Sequence, residues 1–117
     1  MTKQDLCITI YYVQSRNKYF KMKTKEIDFF ELGFEKSQIG EHLEAIMYYT
    51  KAIGKDHKDA RAYCNRGSER KITGDFKAAL KDFNMAIKFN PVQSQSYSNR
   101  GLLYSDLQLW DEALKDL

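Results

Sequence analysis

The sequence of 117 residues has little proline, glycine or net charge, and each shortage excludes a class of protein. One proline and six glycines are too few for a collagen-like or low-complexity chain. A net charge of +3 with 14% aromatic residues argues against disorder along the whole chain. No uninterrupted run approaches the ~20 apolar residues of a transmembrane helix, so we expect no membrane among the partners.

Cysteine is also scarce. Cys7 and Cys64 are too few for a disulfide framework, and neither belongs to a CxxC pair of the kind that holds zinc. A reducing compartment is therefore expected, and we predict a cytoplasmic location. The apolar stretch 7–13 has Asp5 before it and no small-residue cleavage site after it, which argues against a signal peptide.

The positive charge is concentrated in the first 25 residues, which hold six basic residues against one acidic residue, whereas the remainder is net negative. The segment from Ile8 to Val13 is β-prone by composition, but a helix packed on the following residues is an equally open alternative. Met22 is an alternative natural start. Residues 1–25 are therefore left as an unassigned basic N-terminal extension.

A period of 34 residues runs through the rest of the chain. Five positions keep this period without an insertion, and a fixed period of 20–50 residues is typical of a solenoid. The recurring positions are Phe29/Tyr63/Tyr97, Gly33/Gly67/Gly101, Ala45/Ala79/Ala113, Tyr49/Phe83 and Ala52/Ala86.

Each unit divides into two helices. Between Phe76 and Ile87 the apolar residues recur at helical spacing, Asp75 is a candidate N-cap, and Asn90-Pro91 ends the helix. The predicted pairs are 26–39 with 42–54, 60–73 with 76–89, and 94–107 with 110–117. We expect Gly33 and Ala45 to approach closely and let the first hairpin close, with Tyr49 beside them and Phe83 at the equivalent place in the second unit.

The pattern resembles the tetratricopeptide repeat, whose 34-residue unit has a conserved order of small, aromatic and proline positions. The second unit matches best, with Tyr63, Gly67, Ala79, Phe83, Ala86 and Pro91 at family positions. The first unit departs from the pattern with His57 in place of proline, and Lys36 and Arg70 stand where the family has a large residue. The resemblance implies an all-α, right-handed α-solenoid of helix-turn-helix hairpins. Its predicted units are 26–59, 60–93 and a truncated third repeat, 94–117.

The resemblance further implies a non-enzymatic scaffold or adaptor that binds a peptide segment of a partner in a concave groove lined by the first helix of each unit. Asn65 and Asn99 are the sharpest candidates, because similar asparagines in the family hydrogen-bond a ligand backbone and an amide both donates and accepts. The alternative is a solvated asparagine on a helix surface. The groove candidates are Phe30, Phe34, Arg61, Asn65, Ser68, Lys71, Gln95, Asn99 and Leu102, with Ile27, Glu31, Cys64, Ser98 and Asp106 as further positions.

Some family members clamp a C-terminal carboxylate with lysine, arginine and asparagine. This sequence has Phe30 and Phe34 where the clamp needs Lys and Asn, and Gln95 and Asn99 where it needs basic residues. The clamp is therefore largely absent. The two phenylalanines are predicted to accept an apolar ligand side chain or to be covered by the segment from Ile8 to Val13.

Two other functions remain as alternatives. The third unit lacks the polar cap that normally ends a repeat array, so either the chain is a fragment of a longer array or a partner covers this end. We expect the isolated chain to form a homo-oligomer through 103–117 or to exchange that segment with a second copy, and fraying of the last turns is the alternative. The candidate residues for self-association are Leu103, Leu107, Trp110, Leu114 and Leu117. RNA binding through the basic N-terminal segment is the second alternative, although the net negative repeats make nucleic acid a poor candidate partner.

No catalytic, cofactor-binding or metal-binding motif is present. His42 and His57 have no close His or Cys at ligand spacing, and no phosphate-binding loop or dinucleotide motif occurs. We expect no enzyme activity, no cofactor and no metal, with His42 at a helix start and His57 in a loop.

Overall fold

The computed structural model describes residues 26–107 and Asp116. Helix α1 spans Phe29–Gln38 and α2 spans His42–Lys55, and these form the first hairpin. Helices α3, Ala60–Ile72, and α4, Phe76–Phe89, form the second. Helix α5, Ser94–Asp106, opens the third unit, and Asp116 is also helical. The described residues contain no strand, which confirms the all-α prediction and its 34-residue spacing.

Aspartates start three of these helices. The side chains of Asp28, Asp59 and Asp75 accept backbone N–H groups of the first turn of α1, α3 and α4. Each aspartate thereby pairs a donor that the helix itself leaves free, which typically stabilises a helix by about 0.5–2 kcal/mol. The N-cap prediction for Asp75 is confirmed, and α4 ends before Asn90 and Pro91 as expected.

Glycines form the turn inside each hairpin. Gly40 and Gly74 have φ of 80° and 90° and lie one period apart. Side chains other than glycine and asparagine are strained in this left-handed region, so the turn geometry depends on these residues.

The hairpins close on a glycine placed against an aromatic ring. A Cβ at Gly33 would lie 2.8 Å from Cδ1 and Cε1 of Tyr49, and one at Gly67 would lie 2.7 Å from Cε1 of Phe83. The Tyr49 ring therefore lies beside Gly33 as expected, and Ala45, one helical turn before Tyr49 on α2, is fully buried. The direct approach of Gly33 to Ala45 stays a prediction. The absence of a side chain at each glycine therefore makes room for an aromatic ring of the facing helix.

Successive units share their core. Tyr63, Cys64 and Ala86 form a buried cluster against which Ile53 of the first hairpin packs. Leu103 on α5 packs with Ala79 and Phe83 of the second hairpin. Each large apolar side chain buried in this way contributes about 1.5–3 kcal/mol, so stacking as well as hairpin formation holds the array together.

An arginine–aspartate pair also repeats with the period. Arg66 donates from Nε and Nη2 to the buried carboxylate of Asp82, at 2.9 and 2.8 Å. Arg100 makes the same two contacts to Asp116, both at 2.6 Å. The repetition places Asp116 beside α5 as Asp82 lies beside α3.

Candidate functional site

The candidate residues lie on the first helices of three successive units. Phe34 on α1, Asn65 and Ser68 on α3, and Gln95 on α5 line one open cleft of about 140 Å³. Ser37, Tyr49 and Glu69 complete its lining. The fold thus brings four of the sequence-predicted groove residues together across all three units.

Asn65 and Asn99 each reach toward the preceding unit. The Asn65 amide nitrogen donates to the Tyr49 hydroxyl at 3.4 Å. Burial raises the pKa of Tyr49 above its ordinary value, so the phenol is neutral at physiological pH and remains an acceptor. The Asn99 amide nitrogen donates to Ser68 Oγ at 3.2 Å and contacts Cys64 Sγ at 3.6 Å.

These contacts fix the orientation of both amides. No donor among the described residues reaches either amide oxygen, so the oxygen is the group left available in the groove. Both side chains are half-buried, which differs from the fully solvated asparagine of the alternative interpretation. An oriented carbonyl on each of two successive units can accept an N–H of an extended chain.

Cys64 does not face the groove. Its side chain is fully buried, and burial raises the pKa of its thiol, while contacts with Ser96 and Asn99 act in the opposite direction. Its place among the further groove positions was therefore wrong. The residue belongs to the core of the second unit, where it contacts Ser96 and Asn99 of α5.

Phe30 and Arg61 line a second cleft, of about 410 Å³, at the start of α1. The Phe30 ring packs against Tyr49, with ring centroids 5.6 Å apart, and the Arg61 guanidinium carbon lies 4.2 Å from the Phe30 centroid. Arg61 also donates to both carboxylate oxygens of Asp59, at 3.1 and 3.0 Å. The Arg61 charge is therefore already compensated within the protein.

The remaining candidates, Lys71 and Leu102, lie on α3 and α5. Lys71 pairs with Asp106 at 3.2 Å and thereby links α3 to α5. Leu102 is 51% exposed, and Gln95 is exposed as well. A further apolar contact point is thus available on α5.

Glu69, which was not predicted from the sequence, lines the three-unit cleft although only 4% of its surface is exposed. Its carboxylate accepts from the Ser37 hydroxyl and lies 2.6 Å from His42 Nδ1. The equivalent position in the next unit holds Leu103, a core residue. A glutamate at position 69, where the third unit has an apolar residue, was therefore the sequence signal that could have identified it. His42 does begin α2 as expected, but its ring also joins the first hairpin to α3.

The self-association candidates are only partly described. Leu103 was wrongly assigned to an uncovered face, because it is fully buried against Ala79 and Phe83. Leu107 is 37% exposed just after α5. Trp110, Leu114 and Leu117 lie outside the described residues, as do the N-terminal segment 1–25 and the RNA-binding alternative that depends on it.

The described residues lack the side-chain cluster of a metal site and the long apolar helix of a membrane span. No group of three or more His, Cys, Asp or Glu side chains in this part of the chain could hold a metal ion. None of the helices between residues 26 and 107 combines the length and apolarity needed to cross a membrane.

Comparison with known proteins identifies the fold. A model of the tetratricopeptide repeat matches residues 60–91, the second hairpin. The first such domain of Spaghetti (RPAP3), solved with the HSP90 peptide SRMEEVD bound, is 33% identical over 75% of this chain and 70% of that one, with a TM-score of 0.73. This chain belongs to the tetratricopeptide repeat family.

Other members of the tetratricopeptide repeat family are similar to this chain in structure or in sequence. The first domain of human RPAP3 is 33% identical, with a TM-score of 0.72 over 75% of this chain and 69% of that one. Hsp70-Hsp90 organizing protein 3 of Arabidopsis thaliana is 31% identical over 83 residues, which are 71% of this chain but 14% of that protein. As a tetratricopeptide repeat, the right-handed helical array is a protein-interaction module.

Proposed function

We propose that the chain binds an extended peptide segment of a partner protein along the groove formed by α1, α3 and α5. It acts by binding alone, without catalysis or a cofactor, in the cytoplasm. The proposed unit of binding is residues 26–117, divided into repeats 26–59, 60–93 and the truncated 94–117.

The observation that carries this proposal is the cleft shared by Phe34, Asn65, Ser68 and Gln95. It runs across three successive units, which suits an extended ligand better than a compact one. Asn65 and Asn99 supply oriented amide oxygens for the ligand backbone, and Phe34 and Leu102, 44% and 51% exposed, supply apolar contacts for its side chains. The similar domain of Spaghetti (RPAP3) binds a short peptide, which supports a ligand of the same kind here.

Selection from a displayed library of random peptides, followed by fluorescence anisotropy titration on the full chain, tests the proposal. The double variant Asn65→Ala/Asn99→Ala should weaken the selected peptides by about tenfold or more, since each lost hydrogen bond costs about 0.5–1.5 kcal/mol. Asn84→Ala is the matched control, because this substitution removes an amide that lies on α4, outside the groove. The Asn84 side chain accepts from Arg100 Nη1 at 2.9 Å.

The circular dichroism spectrum of each variant must match that of the wild type. A selected peptide that binds equally well to the wild type and to the groove variant would contradict the proposal. A peptide that shields Lys77 and Lys81 of α4 from chemical modification, instead of the groove residues, would also contradict the proposal.

A further inference from the structure

We propose that the α1 end of the groove selects a ligand segment in which a large apolar side chain stands next to lysine or arginine. This inference rests on the proposed function, since it names the chemistry of the peptide that the groove receives. The proposed apolar and basic segment differs in chemistry from the acidic SRMEEVD peptide that the related domain binds.

The apolar part of the inference comes from Phe34. Its side chain is 44% exposed and lines both the three-unit cleft and a neighbouring cleft on α1. A large exposed aromatic ring between two clefts can cover an aliphatic or aromatic side chain and remove both from water. A ring face also attracts a cation placed over it.

The charged part comes from Glu31 and Glu35, which line the α1 cleft together with Phe34. Both carboxylates are exposed. Glu31 takes the groove position that Asn65 and Asn99 hold in the following units, one and two periods later. The first unit thus presents a negative charge where the other units present a neutral amide.

The cations near the groove are already paired. Arg61 binds Asp59, Lys71 binds Asp106, and Lys36, which lines the α1 cleft, binds Glu44 at 3.1 Å. Within residues 26–107 no cation lies within 4.0 Å of the Glu31 or Glu35 carboxylate. Among residues 26–107 the α1 end of the groove therefore carries negative charge without a paired cation around an exposed ring, and this charge repels an acidic segment and attracts a basic one.

Two synthetic peptides of equal length and identical apolar residues test the inference, one with lysines and one with glutamates beside the apolar side chain. Anisotropy titrations use the full chain at low and high salt. We expect the lysine peptide to bind about tenfold more tightly at low salt, because attraction replaces repulsion at two exposed carboxylates. The preference should shrink at high salt, where exposed charges are screened.

Variants assign the preference to the proposed residues. Glu31→Gln and Glu35→Gln should each reduce it about two- to threefold. Asp75→Asn is the matched control, since it removes one exposed carboxylate at the start of α4, which does not line the groove. Asparagine also keeps an N-capping side chain at this position. Phe34→Ala should weaken both peptides about tenfold, because it removes the shared apolar contact.

The outcomes separate the two proposals. If neither peptide binds, or if Asn65→Ala/Asn99→Ala changes neither affinity, the groove proposal fails and this inference fails with it. If the groove variant weakens binding but the glutamate peptide binds at least as tightly as the lysine peptide, only the charge selection is overturned. A preference that Asp75→Asn reduces as much as Glu31→Gln and Glu35→Gln do would also overturn it.

Discussion

At position 67 the chain has room for a hydrogen atom and for nothing larger. The ring of Phe83, which is fully buried, would lie 2.7 Å from an added methyl group, and Cβ of Asp82 would lie at 3.2 Å. The Phe83 ring cannot withdraw without disturbing the core that it shares with Leu103, and Asp82 is held by its ion pair with Arg66. The glycine is therefore a packing requirement rather than a source of backbone freedom.

We expect Gly67→Ala to lower the free energy of unfolding by about 1–3 kcal/mol, the usual cost of overpacking a well-filled core. Gly54→Ala is the control, because nothing lies within 4 Å of its added Cβ and the residue is inside α2. Removing that helical glycine should stabilise the protein by up to about 1 kcal/mol. Urea denaturation measures both, and equal stability of the two variants would contradict the packing argument.

Asp82 is the other residue on which the second hairpin depends. Its carboxylate, 3% exposed, accepts from Arg66 and from Arg70. Asp82→Ala would leave Arg66 largely buried without its partner, which typically costs about 3–5 kcal/mol. Asp106→Ala, which breaks the half-exposed pair with Lys71, should cost less than about 1 kcal/mol. Thermal denaturation curves that shift equally for the two variants would show that burial of the pair does not matter.

At the scale of the helices, each hairpin depends on a turn that the chain can make only with a left-handed residue. Gly74 has φ of 90°, and nothing lies within 4 Å of an added Cβ, so backbone strain alone sets the cost of a substitution there. Gly74→Ala should lower stability by about 1–2 kcal/mol, whereas Gly74→Asn should cost less, because asparagine tolerates this conformation. The order of the two midpoints in urea tests the argument, and a less stable asparagine variant would contradict it.

The helices themselves were predictable because local signals define them. Asp75, the Asn90-Pro91 pair and the 34-residue spacing act within a few residues or recur in each unit. The Glu69 contacts with Ser37 and His42 could not be predicted in this way, because they join residues 32 and 27 positions apart, respectively. The hydrogen bonds of the Asn65 and Asn99 amides likewise could not be predicted, because each joins one unit to the preceding unit.

For the whole molecule, two buried groups make stability sensitive to alkaline pH. Burial raises the pKa of Cys64 above its ordinary value of 9.0 and that of Tyr49 above 10.0. Each group keeps its proton in the folded state at a pH where the unfolded chain has lost it. The stabilisation is therefore full below the unfolded pKa and is lost as pH rises toward the folded pKa.

We expect the free energy of unfolding to fall as pH rises above about 9, first through Cys64 and then through Tyr49. Cys64→Ala should flatten the early part of this decline, whatever its effect on stability at neutral pH. Tyr49→Phe, which keeps the ring beside Gly33, should flatten the later part. Urea titrations at several pH values measure these slopes, and variants with the slope of the wild type would contradict the assignment.

The repeated arginine contact has a consequence for how such a chain can change in length. Arg66 Nη1 donates to Thr50 Oγ1 of the preceding unit at 3.2 Å, and Arg100 Nη1 donates to Asn84 at 2.9 Å, one period later. The second and third segments thus each carry an internal ion pair and the donor that joins them to their predecessor, whereas the first segment has Leu32 at the arginine position. A gene duplication of the second segment would place its Arg66 against the preceding copy's Asn84, as Arg100 is now, so the array can lengthen there by recombination without evolving a new interface.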